Sequence, residues 1–273
     1  MHFKRWLTGI IALPILIFLI GPGPRWLFYL FLYSVSIIGL IEFYGMTAPD
    51  QPKFARWSGY LLALLLFVSI FMRQVLLALA VILFWAYIPM TIFMLTHRSP
   101  SAKWTSYIGN AVLGPVYVVL PLSMLVMIDI FPRGNMWIFF LLAVAFANDT
   151  GAFYFGKLFG KHRLYPSISP NKTWEGAVGG LLTSLIVSML FLRATAFQPI
   201  RPGILILVVC ITIAGQVGDL AESMLKRNQG TKDSGGILPG HGGILDRIDG
   251  ILFSIPVLYL YLSFFLLTPL GMA

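Results

Sequence analysis

The sequence predicts an all-α membrane protein, a polytopic bundle of about nine transmembrane helices with its N-terminus in the cytoplasm. Three observations predict it. The chain is 58% hydrophobic and only 11% charged, with a mean hydropathy of +0.87, whereas soluble domains carry about 25% charged residues. Apolar runs close to the roughly 20 residues of a membrane span recur along the whole chain. Short polar segments separate them: GPGPR at 21–25, TAPDQPK at 47–53, HRSPSAK at 97–103 and FPRGN at 131–135.

The runs fall near 6–20, 25–46, 57–72, 75–96, 106–130, 136–156, 174–196, 202–225 and 248–269. The first and third are short, and are expected to tilt or to cross only in part. Lys4 and Arg5 ahead of the first run look like a secretory signal. The run ends in GPGPR without a small-residue cleavage site, so a retained helix is expected. Pro14, Pro89, Pro115 and Pro121 lie inside runs and predict kinks. The chain divides into transmembrane helices at 1–135 and a transmembrane region at 136–273, which holds the candidate chemistry and two cytoplasmic loops, 157–173 and 226–247. No internal repeat stands out.

Charge sets the orientation. With the N-terminus in the cytoplasm, Arg25, Arg73, Arg133, Arg193 and Arg201 lie outside, and the other 14 of the 19 lysines and arginines lie inside, as the positive-inside rule requires. The net charge of +9 is thereby read as topology. Nucleic-acid binding would need a basic stripe on a soluble face, which is missing. The single cysteine, Cys210, sits in an apolar run and is expected to be a small core residue. The four histidines lack zinc-ligand spacing.

The longest polar stretch, 219–249, reads DLAESMLKRNQGTKDSGGILPGHGGILDRID. It holds five of the ten carboxylates: Asp219, Glu222, Asp233, Asp246 and Asp249. Lys226, Arg227, Lys232 and Arg247 are mixed among them. Carboxylates hold hard cations such as Mg²⁺, lysine and arginine take phosphate oxygens, and glycines admit close backbone approach. Asp219 and Glu222 are three residues apart, as are Asp246 and Asp249, so each pair shares a helix face. A solvated loop with ordinary surface charge needs no such spacing.

Two further segments stand out. In the sixth run Ala145, Asn148, Asp149, Ala152 and Gly156 recur at helical spacing. Small residues permit close helix packing, and an intramembrane carboxylate, here Asp149, is a functional candidate by default. Glu42 and Asp129 lie near span ends and read as interfacial. The basic segment 156–176, GKLFGKHRLYPSISPNKTWEG, lacks the spacing of a phosphate-binding P-loop. Ser169 followed by Pro170 predicts a helix start there, with Ser169 as N-cap.

The stretch from Ser223 to Asp249 resembles the signature of the CDP-diacylglycerol synthases (phosphatidate cytidylyltransferases) of bacterial type. It matches at Ser223, Lys226, Arg227, Lys232, Asp233, Pro239, His241, Gly242, Gly243, Asp246, Arg247 and Asp249. Ser169, Pro170, Lys172, Thr173, Glu175 and Gly176 resemble a second segment of that family. The N-terminal half resembles it only in being hydrophobic. The resemblance implies transfer of a cytidylyl group from CTP to phosphatidic acid, giving CDP-diacylglycerol and pyrophosphate in phospholipid biosynthesis. It implies Mg²⁺, with room for a second metal ion, and a multi-pass protein of the bacterial inner (plasma) membrane with its site on the cytoplasmic side. A homodimer is the expected assembly, and no nucleic acid is expected as a partner.

On that reading Asp219, Asp246 and Lys226 are the expected catalytic residues. Asp219 and Asp246 are the first metal ligands, Asp249 and Glu222 the second choices, and Asp149 the third. Asn171, Lys172, Ser223, Arg227, Lys232, His241 and Arg247 are expected to bind substrate. Two other classes compete. An ion-coupled transporter would place Asp149 and Asp219 in discontinuous helices of a repeat, and no repeat is found. A CDP-alcohol phosphotransferase, which also acts on lipid phosphates, would continue Asp246-x-x-Asp249-Gly250 with Ala-Arg and two later aspartates, which are missing.

Overall fold

The computed structural model describes residues 12–96, 102–195, 202–237 and 242–267. Its helices are α1 (12–20 as described), α2 (Arg25–Thr47), α3 (Lys53–Phe71), α4 (Val75–Thr96), α5 (Ala102–Gly114), α6 (Leu120–Ile130), α7 (Gly134–Phe159), α8 (Trp174–Ala194), α9 (Pro202–Asn228) and α10 (Leu245–Leu267). Strands β1 (Arg163–Tyr165) and β2 (Ser169–Thr173) form a small antiparallel hairpin. Among the described residues, eight helical segments are long and apolar enough to cross a membrane. This is a polytopic, almost entirely helical membrane protein. The first predicted run begins outside the described residues.

The spans follow the apolar runs, with instructive differences. The third begins at Lys53 and reaches 19 residues, so it is not short. The fifth runs on through Pro115, which lacks an amide proton to donate. The chain accommodates it with a π-helical turn, Pro115–Val119, between α5 and α6. Cys210 lies on the exposed face of α9 rather than in the core. The segment SPNKT is strand β2, not a helix start. Its last residue, Thr173, is extended and caps α8 instead, its Oγ1 accepting from Gly176 N at 3.1 Å.

The chain resolves into two compact units, Met1–Met127 with Asp233–Arg247, and Ile128–Lys232 with Ile248–Ala273. In the first, Phe28, Leu40, Phe43, Tyr44, Leu62, Leu66, Trp85 and Phe93 are buried. A Cβ on Gly114 would lie 2.9 Å from the rings of Phe43 and Tyr44, so α2 and α5 meet backbone against ring. In the second unit glycines bring helices together. A Cβ on Gly176 would meet Ala152 O at 2.8 Å, and one on Gly218 would meet Asp249 O at 2.7 Å. Ser184 Oγ donates to Val144 O (3.1 Å), and Ser254 Oγ donates to Ile211 O (3.0 Å). Such contacts matter because lipid supplies no hydrophobic drive between helices, leaving van der Waals packing and hydrogen bonds to hold them.

Candidate active site

In the second unit, Asn148, Asp149, Ala152, Phe153, Gly156 and Lys157 recur at helical spacing along one face of α7. They line a cavity of about 640 Å³ together with Arg163, Asn171 and Lys172 of the hairpin and Gln216 and Asp219 of α9. The hairpin enters because β2 runs straight into the Thr173 cap of α8. Its register is secured by Trp174 N donating to His162 O at 2.9 Å. The Glu175 carboxylate also accepts from His162 N at 3.2 Å and meets its Nδ1 at 2.6 Å.

Polar partners hold the cavity wall. Gln216 Nε2 donates to Asn148 Oδ1 and to Ala177 O, both at 2.9 Å. Asn148 Nδ2 in turn donates to Asp149 Oδ1 at 3.3 Å. Lys172 Nζ and Asp219 Oδ2 form an ion pair at 2.5 Å. Their side chains are 26% and 41% exposed, so water reaches the pair and screens it.

About one turn beyond Asp219 on α9, Glu222 is fully buried and pairs with Lys226 at 2.6 Å. From α10, the Asp249 carboxyl group lies within electrostatic range of Asp219 and Glu222. Three mutually repelling carboxylates are thus gathered beside two lysines. Among the described residues, no three His, Cys, Asp or Glu side chains form a ready-made metal cage.

The first unit holds a separate carboxylate arrangement in the described part of the signature loop. Asp246 Oδ2 accepts from Ser234 N (3.0 Å), Ser234 Oγ (3.0 Å) and Gly243 N (2.8 Å). The Gly243 bond resembles the back-reaching half of a capping box at the start of α10. Glu42, from α2, accepts from Ile244 N at 3.0 Å and Leu245 N at 2.9 Å.

The structure therefore brings Asp149, Asn171, Lys172 and Asp219 to one cavity, and gathers Glu222, Lys226 and Asp249 near Asp219. Ser223 is half-buried on α9, and Lys232 is exposed. Arg227 donates from Nε to Ile168 O at 3.3 Å, tying the hairpin turn to α9. Arg247 is exposed in the first unit with Asp246. His241 lies outside the described residues. Sequence reasoning misses Gln216 and takes Glu42 for interfacial, although Glu42 is 5% exposed. Both carry a signal. Gln216 is a polar residue in an apolar run, three before Asp219, and a carboxylate inside a span is a functional candidate by default.

A multi-helix membrane protein with a cavity lined by carboxylates, amides and cations is of the class built to receive charged ligands at the membrane. The chain belongs to the cytidylyltransferase family, whose family model matches residues 3–265. It is 36% identical over 258 residues to a phosphatidate cytidylyltransferase of Staphylococcus saprophyticus, covering 94% of this chain and 98% of that one. It is 34% identical over 272 residues to a phosphatidate cytidylyltransferase of Bacillus subtilis, covering 96% and 98%.

Proposed function

We propose that this protein transfers the cytidylyl group of CTP to phosphatidic acid, making CDP-diacylglycerol and pyrophosphate. One observation carries the reading at the level of geometry: a single cavity gathers Asp149 and Asp219 with Lys157, Arg163 and Lys172. A phosphate oxygen of the lipid attacks the α-phosphorus of CTP. A new P–O–P bond forms, the bond between α-phosphorus and the bridging oxygen breaks, and pyrophosphate leaves with the electron pair. The lipid phosphate is already ionised, so no general base is needed. Nucleophile and electrophile are both anionic, and the protein's task is to position them and offset their charge. Lys172 exchanges Asp219 for a phosphate oxygen. Lys157 and Arg163 hold further anionic oxygens at the mouth, and Gln216 and Asn148 keep Asp149 in place.

The donor set fits Mg²⁺. The ion takes one or two carboxylates and completes its shell with water and substrate phosphates rather than an all-protein cage. Asp219 and Asp149 would hold it, with Asp249 and Glu222 next in line for a second ion. When bound, such an ion offsets phosphate charge and polarises the reacting phosphorus. Asp246 remains in the proposed set of essential residues, and its Oδ2 also organises the signature loop. Ser223, Lys226, Arg227, Lys232, His241 and Arg247 are proposed to serve the substrates.

The site is proposed to face the cytoplasm of a bacterial plasma membrane, where CTP is made, and to open sideways to lipid. Cysteine in place of Gln198 in a Cys210→Ala protein should label from outside in sealed cells, and cysteine in place of Gly236 should not. A homodimer is proposed, to be checked by the mass of the purified particle after subtraction of bound detergent. The reaction itself is tested with purified protein, labelled CTP, phosphatidic acid and Mg²⁺. Labelled CDP-diacylglycerol should form, and EDTA should stop it. Well-folded protein that transfers no nucleotide would overturn the reading.

A further inference from the structure

Glu42 is an unexpected feature of the first unit. It lies in α2 and is 5% exposed, yet it contacts a segment about 200 residues downstream. Its two oxygens are shared between consecutive amides, Oε1 with Ile244 N at 3.0 Å and Oε2 with Leu245 N at 2.9 Å. Ser234 Oγ lies 3.3 Å from Oε2 and 3.0 Å from Asp246 Oδ2. Ile244 immediately precedes α10 and Leu245 opens it, and the first amides at a helix start have no partner within the helix. Two of them meet a carboxylate at the positive end of the helix, where negative charge is favoured. A buried carboxylate would otherwise be costly.

The same contact gives a reason for two glycines. A Cβ on Gly235 would lie 2.7 Å from Glu42 Oε1, and one on Gly243 would lie 2.5 Å from Glu42 Oε2 and against Ser234 Oγ. Real Cβ atoms do not come so close. By contrast, a Cβ on Gly236 would have nothing within 4 Å. A side chain at 243, part of the Gly242–Gly243 pair of the signature, would thus press on both Ser234 and Glu42.

We propose that Glu42 is a positioning residue: its carboxylate seats Ser234, Gly243 and the first turn of α10, and so sets Asp246 and Arg247 for the substrate. The proposal rests on the reading of the protein as a CTP-using transferase. Loss of the Glu42 charge leaves this segment seated in only a fraction of molecules. Substrate that binds the seated form then pulls the rest over, so the apparent affinity falls by that fraction.

The test is Glu42→Gln, which keeps the shape and removes the charge. Its apparent KM for CTP should rise about tenfold or more, with kcat at saturating CTP within about threefold of the parent and KM for phosphatidic acid unchanged. Deuterium uptake at the Ile244 and Leu245 amides should rise, with uptake in α7 and α8 unaltered. Glu42→Asp, which keeps the charge on a shorter stem, should recover part of the CTP affinity. A fall in kcat that tracks loss of folded protein at unchanged KM would reduce Glu42 to a purely structural role and overturn the proposal. So would parent-like kinetics. Should Glu42→Gln fail to fold, Ser234→Ala removes only the hydroxyl and should show the same KM shift in milder form; an unchanged KM there overturns the proposal. The exchange measurement needs no turnover. If the parent protein proves inactive on CTP while Glu42→Gln still loosens these amides, the functional reading fails and the seating stands. If the parent is active and the amides stay protected, the seating fails and the reaction stands.

Discussion

Glu42 and Asp246 meet backbone amides and a hydroxyl, whereas Asp219 and Glu222 meet the ammonium groups of Lys172 and Lys226. The first arrangement belongs to the loop-bearing unit and the second to the cavity-bearing unit. Backbone donors are fixed by the fold and cannot follow a departing anion. A lysine is a charge on a flexible four-carbon stem, and it can leave a carboxylate for a phosphate oxygen without disturbing a helix. On the proposed reading, carboxylates of the same chain form a scaffold in one unit, while the partly exposed Asp219 is an exchangeable partner for Lys172 in the other.

The largest expected effect separates the two. Asp219→Asn should lower kcat by about 10²–10³, the scale of losing one electrostatic group at a reacting centre, with little change in melting. Asp246→Asn should also lose turnover, but its melting temperature should fall, because Oδ2 holds Ser234 and Gly243. Steady-state kinetics and a melting curve on both variants check this, and equal melting for the two would erase the distinction.

Lys172→Ala should cost about tenfold to a hundredfold in kcat/KM, the worth of a charge-assisted hydrogen bond of roughly 1.5–3 kcal/mol. The bundle should stay folded, since the Lys172–Asp219 pair is partly exposed. Lys226→Ala should behave differently. It leaves the buried Glu222 without the ammonium at 2.6 Å, so melting should fall along with activity.

The smallest effects lie among the glycines. Gly243→Ala should destabilise by about 1–3 kcal/mol, the usual cost of overpacking, because its Cβ would run into Glu42. Gly236→Ala, with open space around it, should stay within about 0.5 kcal/mol of the parent. Denaturation of the two variants side by side distinguishes a glycine needed for packing from one that is not.

The helices are legible in the sequence because a span must satisfy its backbone internally and present apolar side chains to lipid, which leaves a long hydropathy signal. The segments around Lys172 and Asp219 are legible because their charges stand out in an apolar chain. The hairpin is not. A strand of three residues, Arg163–Tyr165, carries no period, and Ser169-Pro170 reads locally as a helix start until pairing makes it extended. The role of Glu42 is hidden for a different reason. Its partners are backbone amides, which almost every residue possesses, so nothing in the composition of 243–245 points back to α2. In the sequence the glycines of 235–243 suggest room for a ligand, whereas in the structure Gly235 and Gly243 make way for Glu42.

The central claim is that the cavity of the second unit receives CTP. Asn171 lines it and is exposed, so a cysteine there, in a Cys210→Ala protein that retains turnover, reports on occupancy. The rate of its reaction with a water-soluble maleimide should fall about tenfold or more at saturating CTP with Mg²⁺, and EDTA should restore it. An unchanged labelling rate in active protein at saturating CTP would contradict the account and place the nucleotide elsewhere.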